Sequence, residues 1–242
     1  MKKNKIQKKV ICIIPARGGS KGIKLKNLKK ICGKPLIYYP ITAALKSGVC
    51  DKVFVSTDSI KIANVAKKLG ADVPFLRAKK YSGDFVTTEE TLKNALLSYE
   101  KFYQTKFDIC VFLTCTNIFR KVSWIREAVS TLKTNNKIDS AFSVHQFYKH
   151  IWHFKNKKLK KILPWMNSYT SRQVAPKLFR EDTGIASATR SKFWRKGKRI
   201  GKKVKLIINQ DSFTGIDIHS KKDLVLTEAA MKFLKNTNQA DH

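Results

Sequence analysis

Short apolar segments rich in β-branched residues alternate along the chain with longer segments in which apolar residues recur every three or four positions. The first apolar segment, residues 10–15 with the sequence VICIIP, ends at a proline and predicts a buried strand. The same pattern predicts further strands at 52–57, 72–76, 108–114, 140–144, 185–189, 203–208 and 215–218.

Helices are predicted between most of these strands. Asp58 or Ser59 can cap a helix that stops at Gly70, and Thr87 with Glu90 forms a capping box in front of another helix. Helical apolar spacing predicts three more, at about 35–46, 122–133 and 224–234.

This alternation predicts the fold class. Strand followed by helix at these spacings indicates an α/β fold, with a mostly parallel sheet covered by helices on both faces. Such sheets bind ligands beyond the carboxyl ends of their strands. We therefore expect the loops at 16–27, 77–88 and 114–120 to lie together at that edge of the sheet.

The pattern loosens in residues 149–184. A hairpin is predicted at 151–161 with Asn156 and Lys157 at its turn, whereas residues 167–182 have no clear period. No linker divides the chain, so residues 1–242 are predicted to form a single domain. Residues 149–184 are interpreted as an insertion that forms an arm, which would pack on another subunit.

Composition narrows the class of protein. A chain of 242 residues that is 43% hydrophobic can bury a substantial core, which excludes disorder as its main state. No apolar run approaches the roughly 18 residues that span a bilayer, and the Lys-rich start precedes too short an apolar stretch for a signal peptide. Five cysteines without a CxxC pair favour free thiols over a zinc ribbon. We expect a cytoplasmic protein with no membrane partner.

The charge balance is strongly basic. Fifty Lys and Arg residues against 17 Asp and Glu residues give a formal net charge of +33. Such an excess suits polyanions, among which nucleic acid, an anionic membrane and phosphorylated small molecules are the candidates. The lysines are scattered through nearly every segment, a distribution more typical of solvated faces than of one recognition surface. Nucleic acid is therefore not the expected partner.

The segment 15–27, PARGGSKGIKLKN, follows the first predicted strand. Its adjacent glycines Gly18 and Gly19 would let backbone amides approach a ligand closely. It matches neither GxxxxGK[ST] nor GxGxxG, which excludes a P-loop and a dinucleotide fingerprint. Composition alone leaves a phosphate site and an ordinary basic surface loop both open. The cations of the loop are Arg17, Lys21, Lys24 and Lys26.

Several motifs in order along the chain carry a family resemblance. IIPARGGSKGIKLKN is followed by GKPLI, VFVSTDS, GADVPFLR and, late in the chain, GIDIH and LVLTEAA. This set is similar to that of the acylneuraminate cytidylyltransferase family, whose members make CMP-activated nine-carbon keto sugar acids. The resemblance implies a Rossmann-like nucleotidyltransferase fold with a dimerisation arm, a homodimer, and CTP and a nonulosonic acid as substrates.

The resemblance also implies roles for single residues. Arg17 and Lys21 would neutralise the β and γ phosphates of CTP, and Asp217 in GIDIH would bind Mg²⁺. These three are the catalytic candidates. Where the family has a second aspartate in that motif the chain has His219, the other metal candidate and a poorer partner for Mg²⁺. The nucleotide-binding candidates are Ala16, Arg17, Gly18, Ser20, Lys21, Lys26, Asn27, Arg77, Asp84 and Thr88.

The motifs that meet the sugar in the family differ in this chain. TCTNIFR stands in place of QPTSPLR, and DTGIAS stands in place of ENGAIY. We therefore expect a sialic-acid-like nonulosonate, of legionaminic or pseudaminic type or a further relative, rather than N-acetylneuraminate itself. The sugar-binding candidates are Thr114, Thr116, Arg172, Gln173, Arg180 and Thr183.

Two other functions stay open at this point. One is activation of a different sugar, such as an eight-carbon keto acid or a sugar 1-phosphate. The other is a nucleic-acid-binding relative that has kept the fold without turnover, which the basic charge would suit.

Overall fold

A seven-stranded sheet forms the centre of the protein in a computed structural model that describes residues 8–168, 171 and 173–237. The strands are β1 (Val10–Pro15), β2 (Lys30–Ile31), β3 (Lys34–Pro35), β4 (Lys52–Ser56), β5 (Ile109–Phe112), β6 (Ser140–Phe147), β7 (Trp152–Lys155), β8 (Lys158–Lys161), β9 (Leu178–Glu181), β10 (Ser187–Arg190) and β11 (Val204–Asn209). The helices are α1 (Tyr38–Ser47), α2 (Ile60–Lys68), α3 (Thr88–Phe102), α4 (Val122–Thr134), α5 (Ser191–Arg195) and α6 (Lys221–Asn236).

The strand order in the sheet is β11-β6-β10-β5-β1-β4, and β9 also pairs with β6. Strand β1 runs parallel to both of its neighbours, with Ile13 opposite Phe54 on β4 and Phe112 on β5. Strands β9 and β10 are antiparallel to their neighbours, and the other five strands share one direction. The prediction of a mostly parallel sheet is confirmed.

Side chains on β1 alternate between two apolar layers. Val10, Cys12 and Ile14 are fully buried in the layer that contains α1, α2 and α4. Ile11 and Ile13 are fully buried in the opposite layer, with α3 and α5. Because successive residues of a strand point to opposite faces, a continuous apolar run requires cover on both sides. The predicted helices on both faces are confirmed.

Helix α3 begins with the predicted capping box. The Thr87 hydroxyl accepts a hydrogen bond from the Glu90 amide at 3.2 Å, and the Glu90 carboxylate accepts one from the Thr87 amide at 2.9 Å. Such reciprocal bonds satisfy backbone donors that have no partner within the helix. They fix the first helical residue, Thr88, at the edge of the sheet.

Two predicted strands are wrong. Residues 72–76 form only one bridge, between Asp72 and Phe54, because Pro74 has no N–H with which to continue a ladder. Residues 215–218 follow a 3₁₀ turn, Ser212–Gly215, and cross the carboxyl edge of the sheet instead of joining it. There the Ile218 amide donates to the Thr116 carbonyl at 3.1 Å.

The hairpin predicted within 151–161 is confirmed as β7 and β8. Asn156 and Lys157 at its turn have φ of 52° and 61°, as a two-residue hairpin turn with positive φ at both positions requires. Helix α6 packs on the short β2–β3 pair, with Met231 and Leu234 buried against Ile31. None of the helices in the described residues is long and apolar enough to cross a membrane.

Candidate active site

Two adjoining cavities open at the carboxyl edge of the sheet, where the three loops were expected to meet. The first cavity, of about 280 Å³, lies between the basic loop after β1 and residues 77–91. The second cavity, of about 420 Å³, lies between residues 114–117, 180–184 and 214–217. Thr88, Phe112 and Thr114 line both cavities, so ligands in the two would touch.

Three hydrogen bonds hold the basic loop in place. The Asn27 side-chain amide donates to the Arg17 carbonyl at 3.0 Å, and the Gly18 amide donates to the Asp58 carboxylate at 2.8 Å. The Lys26 ammonium donates to the Ile218 carbonyl at 2.7 Å. Burial lowers the pKa of Lys26, against the opposing influence of Asp217. Lys26 and Asn27, predicted as nucleotide contacts, are thus also the supports of the loop.

Gly22 is the point of closest approach between this loop and the 217–219 segment. A Cβ on Gly22 would lie 2.3 Å from the carbonyl oxygen of His219, closer than any side chain can pack. The glycine therefore brings the phosphate-binding candidates beside the metal candidates.

Cations and one carboxylate meet at the mouth of the first cavity. A terminal guanidinium nitrogen of Arg17 lies 2.9 Å from one Asp84 oxygen, and the Lys21 ammonium lies 3.2 Å from the other. Arg17 also donates to the Gly83 carbonyl at 3.2 Å. Hydrogen bonding from Lys21, and then from Arg17, holds the pKa of Asp84 below its ordinary value. An anionic group thus occupies the position between Arg17 and Lys21.

Arg77 lies deeper in the first cavity and is buried. Its Nε donates to the Ser82 hydroxyl at 3.0 Å, and its backbone amide donates to the Thr57 carbonyl at 2.7 Å. Burial lowers its pKa, against the influence of Asp58. Its guanidinium forms no ion pair with a described residue, which suits a charged ligand.

A buried arginine shapes the floor of the second cavity. Arg120 donates from Nη2 to the carbonyls of Thr114, Asn117 and Gly184 at 2.6, 2.5 and 3.1 Å, and from Nε to that of Ile185 at 2.9 Å. Burial lowers its pKa to about 10. Arg120, which matches the family motif, therefore fixes the backbone of residues 114–117 rather than contacting the cavity.

Two further arginines line the second cavity and both are paired. Arg180 forms a two-point contact with Asp182 at 2.8 and 2.9 Å. Arg199 lies 3.1 Å from Glu181 and 3.7 Å from Glu89. Arg199 was not predicted, because it follows α5 in a Lys-rich stretch that carries no motif. The pairing keeps this cavity close to neutral despite the basic chain.

The metal candidates contact each other. His219 Nε2 lies 2.8 Å from Asp217 Oδ2, and Asp217 lines the second cavity. No group of three or more His, Cys, Asp or Glu side chains that could hold a metal occurs in the described part of the chain. Magnesium sites in nucleotide enzymes commonly use one or two carboxylates, substrate phosphates and water. Asp217 fits that pattern, whereas His219 is better suited to orienting the carboxylate.

The structure groups most of the predicted site residues. Lys21 contacts Asp84, and Ala16 is buried directly after β1. Gln173 is exposed and Ser20 half-buried, and neither is among the described residues lining the two cavities; Arg172 lies outside the described residues. The first cavity contains Arg17, Arg77, Asp84 and Thr88. The second contains Thr88, Thr114, Thr116, Arg180, Thr183 and Asp217.

Comparison with known proteins gives matches along nearly the whole chain. A family model described as cytidylyltransferase matches residues 11–230. The chain is 31% identical over 235 residues to a CMP-N,N'-diacetyllegionaminic acid synthase from Campylobacter jejuni, covering 96% of this chain and 98% of that relative. A protein of the same name from Legionella pneumophila is 40% identical over 129 residues, or 53% of this chain and 55% of the relative, so that match spans about half of its length.

A solved structure has the same fold. It is that of a CMP:2-keto-3-deoxy-manno-octonic acid synthetase complexed with CTP, with a TM-score of 0.68 and 15% identity over 93% of this chain and 99% of that chain. This likeness confirms the predicted α/β nucleotidyltransferase fold.

Proposed function

The chain belongs to the cytidylyltransferase family, and we propose that it transfers CMP from CTP to the anomeric hydroxyl of a nine-carbon keto sugar acid. The observation that carries the proposal is the pair of cavities joined at Thr88, Phe112 and Thr114. One cavity is surrounded by unneutralised or weakly paired cations, and the other is polar and nearly neutral. A triphosphate suits the first, and a polyhydroxylated sugar suits the second.

The first cavity has the charges that a triphosphate needs. Arg17 and Lys21 form their ion pairs with the exposed carboxylate of Asp84, and Arg17 also donates to the Gly83 carbonyl. Arg77 is buried without an ion pair among the described residues. Since exposed ion pairs contribute little, the phosphates can displace Asp84 from both cations. The backbone of Ala16 and Gly18, next to the same cations, is proposed to read the pyrimidine.

The chemistry is an in-line displacement at phosphorus. The anomeric hydroxyl gives its proton to water, and its oxygen forms a bond to the α phosphorus while the bond to the bridging oxygen of pyrophosphate breaks. Arg17 and Lys21 stabilise the negative charge that grows on the leaving pyrophosphate. Because Thr114 and Thr88 border both cavities, the two substrates are held in contact, and this positioning accounts for much of the rate.

Mg²⁺ is the proposed cofactor. When bound, it neutralises phosphate oxygens and favours the departure of pyrophosphate. Asp217 would hold it, since this carboxylate faces the second cavity beside the basic loop. His219 would keep Asp217 in position through the 2.8 Å contact between them.

The sugar is proposed to be a nonulosonate of legionaminic or pseudaminic type. Relatives named for legionaminic acid match at 31% and 40% identity. A protein from Campylobacter jejuni named pseudaminic acid cytidylyltransferase is 41% identical over 113 residues, which cover 49% of it. The TCTN and EDTG sequences at the second cavity, which differ from those expected for N-acetylneuraminate, support the same choice.

The protein is also proposed to act as a cytoplasmic homodimer. The β7–β8 hairpin exposes Trp152, Phe154 and Leu159, of which Phe154 is 74% exposed. Exposed apolar side chains grouped on one hairpin suit contact with another protein surface. Because residues 149–184 were predicted to form an arm that packs on another subunit, we propose that a second copy of this chain covers the hairpin.

Pyrophosphate release is the direct test. The purified protein is incubated with Mg²⁺, each of the four nucleoside triphosphates, and a panel of sugars that includes legionaminic, pseudaminic and N-acetylneuraminic acids and an eight-carbon keto acid. We expect release only with CTP and a nonulosonic acid, and a CMP-linked product by mass spectrometry. Preference for the eight-carbon acid or for N-acetylneuraminate would overturn the choice of sugar. Absence of turnover with steeply salt-dependent oligonucleotide binding would favour the nucleic-acid alternative.

A further inference from the structure

The Asn117 side chain lies on the wall of the second cavity, in a turn that is rigidly held. Its backbone carbonyl accepts from Arg120, which also holds the carbonyls of Thr114 and Gly184. Asn117 itself is half-buried and lines the cavity. A side chain that projects from such a fixed turn has a defined position relative to a ligand.

The hydrogen-bond partners around Asn117 determine which way its amide faces. The Thr114 hydroxyl lies 2.8 Å from Asn117 Oδ1 and 3.1 Å from the Gly184 carbonyl oxygen. That carbonyl already accepts from the Thr114 amide at 2.9 Å and from Arg120 at 3.1 Å, which fills its two lone pairs. The single hydroxyl proton of Thr114 is therefore donated to Asn117 Oδ1.

Asn117 then presents a donor to the cavity. Its oxygen is engaged by Thr114, and its Nδ2 makes no hydrogen bond with a described residue. Thr114 has no donor left for a ligand, although it lines both cavities. The amide of Asn117 is thus a neutral donor on this wall that makes no hydrogen bond with a described residue.

Gly184 is matched to this arrangement. A Cβ there would lie 2.7 Å from the Thr114 hydroxyl oxygen and 3.0 Å from Asn117 Oδ1. The absence of a side chain lets the Thr114–Asn117 pair pack directly on the backbone that follows β9.

We propose that Asn117 is a specificity-determining residue that donates its side-chain amide to the carbonyl oxygen of an acylamino group on the sugar, with Thr114 as its positioning residue. This inference rests on the proposed function. The acidic group of the sugar is the better partner for a guanidinium, and Arg180 and Arg199 line the same cavity. A neutral donor remains for a neutral acceptor, which an acylamino carbonyl supplies and a protonated amine does not.

Replacing the amide donor of residue 117 by a carboxylate acceptor tests the proposal. Asn117→Asp keeps the size and the acceptor for Thr114 but replaces the donor by an acceptor. The measured quantity is kcat/KM for a nonulosonic acid with an acylamino group, divided by kcat/KM for the same sugar with a free amino group at that carbon. Each acylamino position is replaced in turn. At the acylamino position that Asn117 contacts, we expect this ratio of kcat/KM values to be roughly 10- to 100-fold lower in Asn117→Asp than in the wild type. That is the range expected for the loss of one hydrogen bond that leaves its partner unsatisfied.

Two further variants separate specificity from structure. Thr114→Val should lower the same ratio partly, because the amide is no longer held, whereas Thr114→Ser should retain it. The KM for CTP should stay unchanged in Asn117→Asp, because Asn117 lines the second cavity and not the first. An equal loss with acylated and free-amino sugars, or a rise in the KM for CTP, would mean that Asn117 only supports the turn and would overturn the proposal.

Failure of the proposed function is distinguishable from failure of this inference. If the wild-type protein releases no pyrophosphate with any sugar, the function is wrong, and calorimetric binding of the same sugar pairs to wild type and Asn117→Asp then decides the inference. Binding that does not discriminate between acylamino and amino sugars would reject it.

Discussion

The guanidinium of Arg17 and the carboxylate of Asp84 are joined at 2.9 Å across the mouth of the first cavity. Lys21 reaches the other oxygen of the same carboxylate at 3.2 Å. The carboxylate thus occupies a position between two cations that a phosphate group would take in the proposed reaction. Residues 77–88 are held over the cavity by this contact, with the help of the bond from Arg17 to the Gly83 carbonyl.

Removing the charge of Asp84 should therefore strengthen CTP binding. In Asp84→Asn the amide competes less well than a carboxylate for Arg17 and Lys21. We expect the KM for CTP to fall by roughly twofold to fivefold, since exposed ion pairs are worth about 0–1 kcal/mol. The KM is measured by pyrophosphate release at fixed sugar and Mg²⁺. A higher KM would mean that Asp84 assists the nucleotide instead of competing with it.

Lys21 should be required for turnover. Removing a cation that stabilises the leaving pyrophosphate costs roughly 10²–10³ in kcat in comparable sites. Lys24→Ala is the matched control, because Lys24 is an exposed cation of the same loop. We expect Lys21→Ala to lose turnover with its thermal unfolding unchanged, and Lys24→Ala to keep near wild-type activity. Equal activities of the two variants would remove Lys21 from the mechanism.

The sequence predicts β1, β4 and β5 well because these strands are almost entirely buried. The apolar residues in 10–15 fit only a buried strand, and those in 122–133 fit only a helix. The observed strand and helix begin and end within one residue of the predicted bounds. Residues 72–76 and 215–218 are apolar for a different reason, since their buried side chains pack in loops. The spacing of apolar residues alone cannot distinguish a strand from a loop whose apolar side chains are buried.

The candidate site could be predicted where a motif was contiguous. The basic loop supplied Arg17 and Lys21, whereas Arg199 reaches the second cavity through tertiary contacts that leave no local pattern. Asn117 lies in the TCTN segment but was not among the predicted sugar-binding residues. Thr114 was predicted to contact the sugar, whereas its hydroxyl is directed to Asn117. Hydrogen-bond partners depend on the folded geometry. The sequence could therefore indicate that Thr114 lies at the site, but not that its hydroxyl bonds to Asn117.

The identity of residue 219 should set the requirement for Mg²⁺. His219→Asp places a second carboxylate beside Asp217, and Mg²⁺ prefers oxygen ligands to imidazole. We expect the Mg²⁺ concentration that gives half-maximal pyrophosphate release to fall. His219→Asn, which adds no charge, serves as the control. An unchanged Mg²⁺ titration in His219→Asp would exclude this position from the metal site.

The buried carboxylate of Glu100 and its partly buried partner Arg195 should matter for stability instead of activity. Arg195 contacts both Glu100 oxygens, at 2.6 and 3.0 Å, and Glu100 also accepts from the Phe107 amide at 3.0 Å. We expect Glu100→Gln to lower the free energy of unfolding by about 2–4 kcal/mol, since a partly buried partner charge is left unpaired. Denaturant unfolding measures it. Glu127→Gln, at an exposed position, is the control.

That stability should depend on pH in one direction. Burial raises the pKa of Glu100, but the hydrogen bonds from Arg195 and Phe107 outweigh it, so the folded-state pKa lies below the ordinary value. The stabilisation that the Glu100 carboxylate contributes is therefore complete above its unfolded-state pKa of about 4.3. It is lost as the pH falls through the pKa of Glu100 in the folded state. The difference in unfolding free energy between wild type and Glu100→Gln should shrink over that acidic window. A difference that grows on acidification would contradict the assigned ion pair.

Gly22 offers the sharpest test of how the basic loop meets the 217–219 segment. In Gly22→Ala the new methyl group would lie 2.3 Å from the His219 carbonyl oxygen, so the loop must move away from Asp217. Gly19→Ala is a matched control in the same loop, since a Cβ there meets nothing within 4 Å. We expect Gly22→Ala to lose stability by roughly 1–3 kcal/mol, as overpacking does, and to lose turnover, while Gly19→Ala retains its stability. If Gly22→Ala kept wild-type kcat and Mg²⁺ dependence, the close approach of the basic loop to the 217–219 segment would not matter for the reaction.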